Sequence, residues 1–308
     1  MPLLVSKLPP AGSEINYSQT LTDAVEIRMR TLVRECSVPV GSIEPIAHQA
    51  ASYHLATGGQ RIRAQLALQA GLALGLSVGD AVSIAATSEL VHNASLVHDD
   101  LQDRDLTRRG ADTVWVAYGE GVAICTGDLL LSAAYCALSG ISRPHLLATL
   151  IPLLHRCISD ASAGQCADLL PQKIRAFTLK DYEHLASLKS GALLAMPLEL
   201  ALVAGGELQA VPLARRAAQS FAIGYQIFDD LNDVQQDSTR ATTQPAINVV
   251  ALIEANTNSE NAAALARQLA IKHLAMSAKS SQLLPRWSGQ LLGQLALSLS
   301  ARITAASA

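Results

Sequence analysis

ELVHNASLVHDDLQDRDLTRRG, residues 89–110, carries the densest chemistry of the chain. Read as a helix, it sets Asp99 and Asp103 one turn apart on the same face, with Asp100 beside them. Arg108 and Arg109 follow at once. Carboxylates crowded this closely repel one another unless a cation sits among them. Hard divalent cations take oxygen ligands, and Mg2+ commonly bridges a few carboxylates to substrate phosphates. The two arginines suit the remaining phosphate oxygens. The stretch reads as a metal–diphosphate clamp. The plain alternative is a solvated acidic helix end followed by a basic turn.

A second copy weighs against that alternative. Residues 224–237, GYQIFDDLNDVQQD, place Asp229, Asp230 and Asp233 at the same spacing, again after apolar residues of helical pattern. Two inward-facing aspartate clusters on separate helices suit several metal ions holding one diphosphate.

The composition leaves room for a large core. Of 308 residues, 50% are hydrophobic, 16% charged and only 4% aromatic. Ala and Leu dominate, which favours helices over strands. A net charge of −3 without a Lys/Arg run gives no basis for nucleic-acid binding. The five cysteines, Cys36, Cys125, Cys136, Cys157 and Cys166, form no CxxC pair and read as buried free thiols of a reducing compartment. The first residues do not resemble a signal peptide, and no clean membrane span is read, so a soluble cytoplasmic protein is expected.

Residues 1–20 are expected to be a flexible arm and 21–308 one domain. Helices are predicted at 21–36, 46–56, 64–76, 80–101, 122–138, 145–170, 179–188, 192–203, 214–233, 249–255, 260–277 and 288–305. No β-strand pattern is evident. The expected architecture is all-α, a single large helical bundle around a central cavity. Further candidates lie between and within these helices. GGQRIR, residues 58–63, brings Arg61 and Arg63 to a helix start, where anions bind readily. Gln165 and Asp168 share a face in GQCAD. Lys189, Ser190 and Gly191 interrupt a helix where phosphate oxygens could bind. Below Asp99, the small residues Ser95, Ala94 and Ser88 leave a helix face of about 16 Å without a large aromatic. That face could line a channel for a long hydrocarbon tail, or simply allow close helix packing.

Together GGQRIR, ELVHNASLVHDDLQD with RRG, GQCADL, LKSGALLA and GYQIFDDLND resemble the trans-isoprenyl diphosphate synthase (polyprenyl synthetase) family, in that family's order. The resemblance runs from about Leu21 to Val250. It implies the isoprenoid-synthase fold and head-to-tail condensation of isopentenyl diphosphate with an allylic prenyl diphosphate. It also implies Mg2+, three ions with substrate bound, and commonly a homodimer. By this match Asp99, Asp100, Asp103, Asp229, Asp230 and Asp233 are metal-side residues. Arg108 corresponds to the arginine on the allylic diphosphate; Gln60, Arg63, His92 and Arg109 correspond to isopentenyl-site positions, and Gln165 is placed with the substrate-binding residues. Lys189, Ser190 and Gln226 match positions near the allylic diphosphate and the reacting carbons. Ala94 and Ser95 stand where aromatics halt chain growth in short-chain members, which implies products of C20 or longer.

Two departures remove positive charge. Gln60 replaces a family lysine, and residues 234–250, VQQDSTRATTQPAINVV, lack the usual lysines and carry only Arg240. Arg61 or Arg240 could compensate. A cyclase or a prenyltransferase with another acceptor is the alternative within enzymes; a non-catalytic synthase subunit is the alternative outside them.

Overall fold

A computed structural model of the chain describes residues 11–35, 45–169, 177–233, 248–257 and 261–305, with side chains from residue 19 onward. The described helices are α1 (Ala11–Glu35), α2 (Ile46–Ala56), α3 (Ile62–Ala73) and α4 (Val78–Gln102), then α5 (Val114–Tyr118), α6 (Glu120–Ser139) and α7 (Leu147–Leu169). They continue with α8 (Leu179–Ala186), α9 (Ala192–Ala204), α10 (Val211–Asp233), α11 (Val249–Thr257), α12 (Ala262–Gln282) and α13 (Gln290–Ala305). The all-α expectation holds, and helix limits fall within a few residues of the periodicity except at α1. That helix begins at Ala11, inside the segment expected to be loose.

Two compact units are present. One comprises Met1–Leu68 with Val82–Gly140, the other Gln69–Ala81 with Ile141–Ala308. In the first, α6 packs against α1, α2 and α5. In the second, α10 packs against α9 and α12, α12 against α13, and α7 against α9. Every residue of α9 is buried, as befits a helix apolar on all sides. Its one charge, Glu199, sits between Arg156 and Arg215. A second apolar cluster joins Tyr182, Ile223, Ile227, Val249, Leu252 and Leu274, from α8, α10, α11 and α12.

Three expectations need correction. A hairpin of two residues per strand, β1 (Thr107–Arg108) and β2 (Ala111–Asp112), follows α4. Two-residue strands are too short for any alternation to register. The segment around Lys189 does not break the helix. Ser187–Gly191 forms a π-helical turn that joins α8 to α9 without a loop. This makes 179–204 long and apolar enough to cross a membrane, as is α6, but 78% of the apolar window in 179–204 is buried within the fold. The four described cysteines are free, and only Cys157 is buried; Cys125, Cys136 and Cys166 are exposed. Cys36, Arg240 and the rest of 234–247 lie outside the described residues.

Candidate active site

The first aspartate cluster occupies the end of α4. Asp103 N–H donates to Asp99 C=O at 2.8 Å, the last i to i+4 bond, so these two residues are one turn apart, about 6 Å along the axis. Asp105 N–H then reaches back to Asp100 C=O at 3.0 Å, with Arg104 at φ 60°. This is a Schellman closure, made here without glycine. The second cluster likewise lies in the last turn of α10, which ends at Asp233. Neither helix has a basic residue in its last turn. Helix C-termini carry the negative end of the dipole, and acidic residues are disfavoured there. Both clusters therefore concentrate negative charge where the backbone already opposes it, an arrangement that cations relieve.

Adjacent aspartates in each copy differ. Asp99 is half-buried, whereas Asp100 is 1% exposed. Asp100 Oδ1 accepts from Arg108 Nε at 2.5 Å and from Nη2 as well. Burial pushes the Asp100 carboxyl up, against the pull of Arg108. Asp229 is half-buried and Asp230 buried. Asp230 Oδ1 accepts from Gln226 Nε2 at 3.1 Å, and Oδ2 from Tyr182 OH at 2.9 Å and Val249 N–H at 2.8 Å. The sequence gives all six aspartates one role. The structure turns the second of each pair inward, and the side chain of Asp233 lies outside the description.

His98, next to Asp99, lies against Gly127 of α6, where a Cβ would overlap its ring. Its Nε2 is 3.3 Å from Ile124 C=O and 3.8 Å from Asp128.

Arginines crowd the same unit. The hairpin turns at Arg109 and Gly110, with φ 54° and 81°, the paired positive angles of a type I′ turn. Arg109 donates to Gly58 C=O, and a Cβ on Gly59 would come within 2.9 Å of its guanidinium. Here glycine is required by its φ of +140°, since the neighbouring guanidinium is the end of a flexible side chain that could shift. His92 feels the fields of Arg63, Arg109 and Arg108. Burial first, then Arg63 and Arg109, hold it well below the ordinary histidine value, so it stays neutral. Its buried Nδ1 has no hydrogen-bond partner among the described residues. An anion placed among these cations would relieve their mutual repulsion.

Arg61 is near enough for its charge to be felt at Arg109, but its guanidinium is already engaged. It is 6% exposed, bonds Glu26 at 2.5 Å and Leu55 C=O at 3.2 Å, and lies 3.7 Å from Glu89. Glu89 in turn caps Ala64 N–H at 3.0 Å in the first turn of α3. Arg61 is an internal tie between α1, α3 and α4, so it does not replace the missing lysine. Gln60 is exposed, and its carbonyl accepts from Gln65 Nε2 at 2.9 Å.

His54, in α2, is pushed down to about 4 by burial and by the charges of Arg109 and Arg108. The unfolded chain therefore binds a proton near pH 6.5 that the fold refuses until about 4. Its stabilising contribution is complete above pH 6.5 and is lost as the pH falls towards 4, an effect of about 3 kcal/mol. Denaturant unfolding at pH 7.5 and 4.5 should show His54→Gln losing less stability on acidification than the parent chain. Equal losses refute this.

In the second unit, Lys189 on the π-helical turn pairs with Asp168 of α7. Gly164 allows the approach: a Cβ there would stand 2.8 Å from Lys189 Cα and 2.9 Å from Leu188 carbonyl carbon. Gln165, on the adjoining turn, is half-buried, as is Ser190. Of the proposed tail-channel residues, Ser88 and Ala94 are wholly enclosed by protein. Ser95 keeps partial exposure and donates to His92 C=O at 2.8 Å. Tyr182 and His54 were missed in the sequence. The available signal for Tyr182 was its rarity, one of few aromatics, on a short polar helix.

Mg2+ fits this chemistry. Among the described residues no three His, Cys, Asp or Glu side chains converge to enclose an ion. Mg2+ instead takes one or two carboxylates and completes its shell with water and substrate phosphates. Asp99 and Asp103, charged oxygens at a helix C-terminus, are donors of that kind.

Residues 44–247 match the family model described as polyprenyl synthetase. The chain is 35% identical over 206 residues to geranylgeranyl diphosphate synthase of Mycobacterium tuberculosis, covering 63% of this chain and 59% of that one. It is 34% identical over 205 residues to (2E,6E)-farnesyl diphosphate synthase of the same organism, covering 61% and 56%. The matched region thus spans less than two thirds of these relatives. Among solved structures, geranylgeranyl pyrophosphate synthetase from the archaeon Geoglobus acetivorans superposes with a TM-score of 0.78 at 25% identity, covering 92% of this chain and 98% of that one. The fold is that of the isoprenoid synthases.

Proposed function

The chain belongs to the polyprenyl synthetase family, and we propose that it is a trans-prenyltransferase condensing isopentenyl diphosphate with an allylic prenyl diphosphate. The supporting observation is the placing of both aspartate clusters at helix C-terminal ends, where the helix dipole opposes their charge and a bound cation would relieve it.

Asp99 and Asp103 in the first unit, and Asp229 in the second, would each hold Mg2+, which when bound supplies Lewis-acid stabilisation of a diphosphate leaving group. Arg63 and Arg109 bind diphosphate oxygens beside a neutral His92, which can accept or donate a hydrogen bond without adding charge. In the second unit, Lys189 carries an ammonium on its π-helical turn, held by Asp168. Arg108 keeps Asp100 folded inward and presents what remains of its guanidinium. As the allylic C–O bond breaks, the double bond of isopentenyl diphosphate forms the new C–C bond. The proton then lost passes to the released diphosphate. No nucleophilic serine or cysteine is needed.

Products of C20 or longer are proposed, on the small residue at Ser95; the farnesyl and geranylgeranyl relatives are equally similar and do not choose between lengths. Ser95→Phe should shorten the main product by at least one isoprene unit. Ala94→Phe should instead destabilise the fold, because Ala94 has no free surface, at a cost of about 1–3 kcal/mol. An unchanged product from Ser95→Phe removes that position from length control. Homodimerisation is proposed as the assembly, with Ile124, Cys125 and Cys136 exposed on the apolar helix α6, and the cytoplasm as the location.

The test is incubation of the purified chain with Mg2+, labelled isopentenyl diphosphate and allylic primers of increasing length, with products sized by chromatography. Labelled elongated chains support the proposal. Diphosphate release without label incorporation points to a cyclase or another acceptor, the outcome that the loss of a lysine at Gln60 would explain.

A further inference from the structure

Tyr182 is a buried side chain for which the reaction above has no use. It is 3% exposed, and its hydroxyl donates to Asp230 Oδ2 at 2.9 Å. Its helix, α8, is fixed at its start and at its middle. Thr178 and Asp181 form a reciprocal capping box at the start. Glu183, the residue after Tyr182, meets His273 of α12 at 3.1 Å. The hydroxyl is therefore delivered from a rigid support rather than a loop.

Asp230 gathers three neutral donors from three directions: Tyr182 from α8, Val249 N–H from the first turn of α11, and Gln226 one turn earlier on α10. Asn248 adds a bond to the Asp230 carbonyl at 2.9 Å and caps Val250 N–H at 2.9 Å. A carboxylate held in this way cannot rotate outward without orphaning a buried hydroxyl and a backbone N–H, each costly to leave unmade. Neighbouring residues on a helix stand about 100° apart, so locking Asp230 inward sets the direction of Asp229. The same bond settles the amide of Gln226. Asp230 is an acceptor, so Gln226 presents its NH2 to it and its carbonyl oxygen to the other side.

We propose that Tyr182 is a positioning residue: by holding Asp230 inward it aims Asp229 at the cation of the second cluster and orients the Gln226 amide. This rests on the synthase reading and adds to it a residue outside every aspartate motif. The first cluster uses Arg108 on Asp100 for the corresponding task.

The experiment compares the parent chain, Tyr182→Phe, Asp230→Asn, the double variant, and Glu183→Gln as a control on the same helix. Two readouts are taken: the Mg2+ concentration giving half-maximal thermal stabilisation by inorganic diphosphate, and the same midpoint for turnover. Tyr182→Phe should raise both midpoints about tenfold, the loss expected for one hydrogen bond to a charged group. The double variant should be no worse than Asp230→Asn alone, since the effect passes through that carboxylate. Glu183→Gln should leave the Mg2+ midpoints in place whatever it does to the melting temperature. Unchanged midpoints in Tyr182→Phe, additive effects in the double variant, or a shift in Glu183→Gln equal to that of Tyr182→Phe each overturn the proposal. A parent chain that gains no stability from Mg2+ and diphosphate overturns the synthase reading itself.

Discussion

Asp99→Ala will lower turnover about a thousandfold while leaving the melting temperature close to that of the parent chain. The magnitude follows from the charge to be stabilised. Metal-assisted departure of a diphosphate is worth several kcal/mol in the transition state, and each 1.36 kcal/mol is about a factor of ten. The mildness towards the fold follows from position. Asp99 is half-buried, in the last turn of α4, beside Asp100 and one turn from Asp103. Removing its charge reduces repulsion and relieves the unfavourable helix end. Asp100→Ala gives the contrast. Asp100 is 1% exposed and bound by two nitrogens of Arg108. Its loss strands that guanidinium and loosens the hairpin that carries Arg109, so stability and activity fall together. Turnover and thermal melting of the two variants, measured side by side, test both claims. Asp99→Ala with activity within tenfold of the parent chain would remove it from the metal site.

The distinction between those neighbours was not legible in the sequence. Spacing placed Asp99 and Asp103 on one face and located the helix end to within a residue, because glycine, arginine and the apolar rhythm all mark it. Which carboxylate turns inward depends on Arg108, eight positions on and beyond a reversal of the chain. The same holds for Arg61 and Arg63. Both stand at the start of α3, but Arg61 is claimed by Glu26 and Glu89, partners 35 and 28 residues distant that no local pattern connects to it. The π-helical turn at Lys189 leaves no mark in composition, since a wide turn needs no special residue. Gly164 is the converse: visible as a glycine, yet explicable only once Lys189 is seen to lie against it. Elements that depend on periodicity were readable, and roles that depend on distant partners were not.

Glu199→Ala is expected to cost about 3 kcal/mol of stability. Glu199 lies in the middle of α9 with essentially no exposure. Arg156 of α7 binds one of its oxygens, and Arg215 of α10 binds the other at 2.7 Å. Burial pushes the carboxyl up in spite of Arg156, so the triad only partly repays the cost of desolvating its charge. Removing one partner from such a group is harmful because the others keep their charge. Here both guanidiniums retain about a third of their exposure, 31% and 37%, which places the loss at the lower end of the usual range. The consequences extend to the site. The triad fixes α7, α9 and α10 to one another, and these helices carry or adjoin Asp168, Lys189 and Asp229. Glu199→Ala should therefore melt earlier and raise the Mg2+ and diphosphate concentrations needed for activity. Replacing the whole triad, Arg156→Met with Glu199→Leu and Arg215→Met, should restore the melting temperature because no charge is left unpaired. Chemical denaturation of the single and triple variants decides the matter: a triple variant no more stable than Glu199→Ala would show that the carboxylate itself, rather than the stranding of its partners, carries the stability.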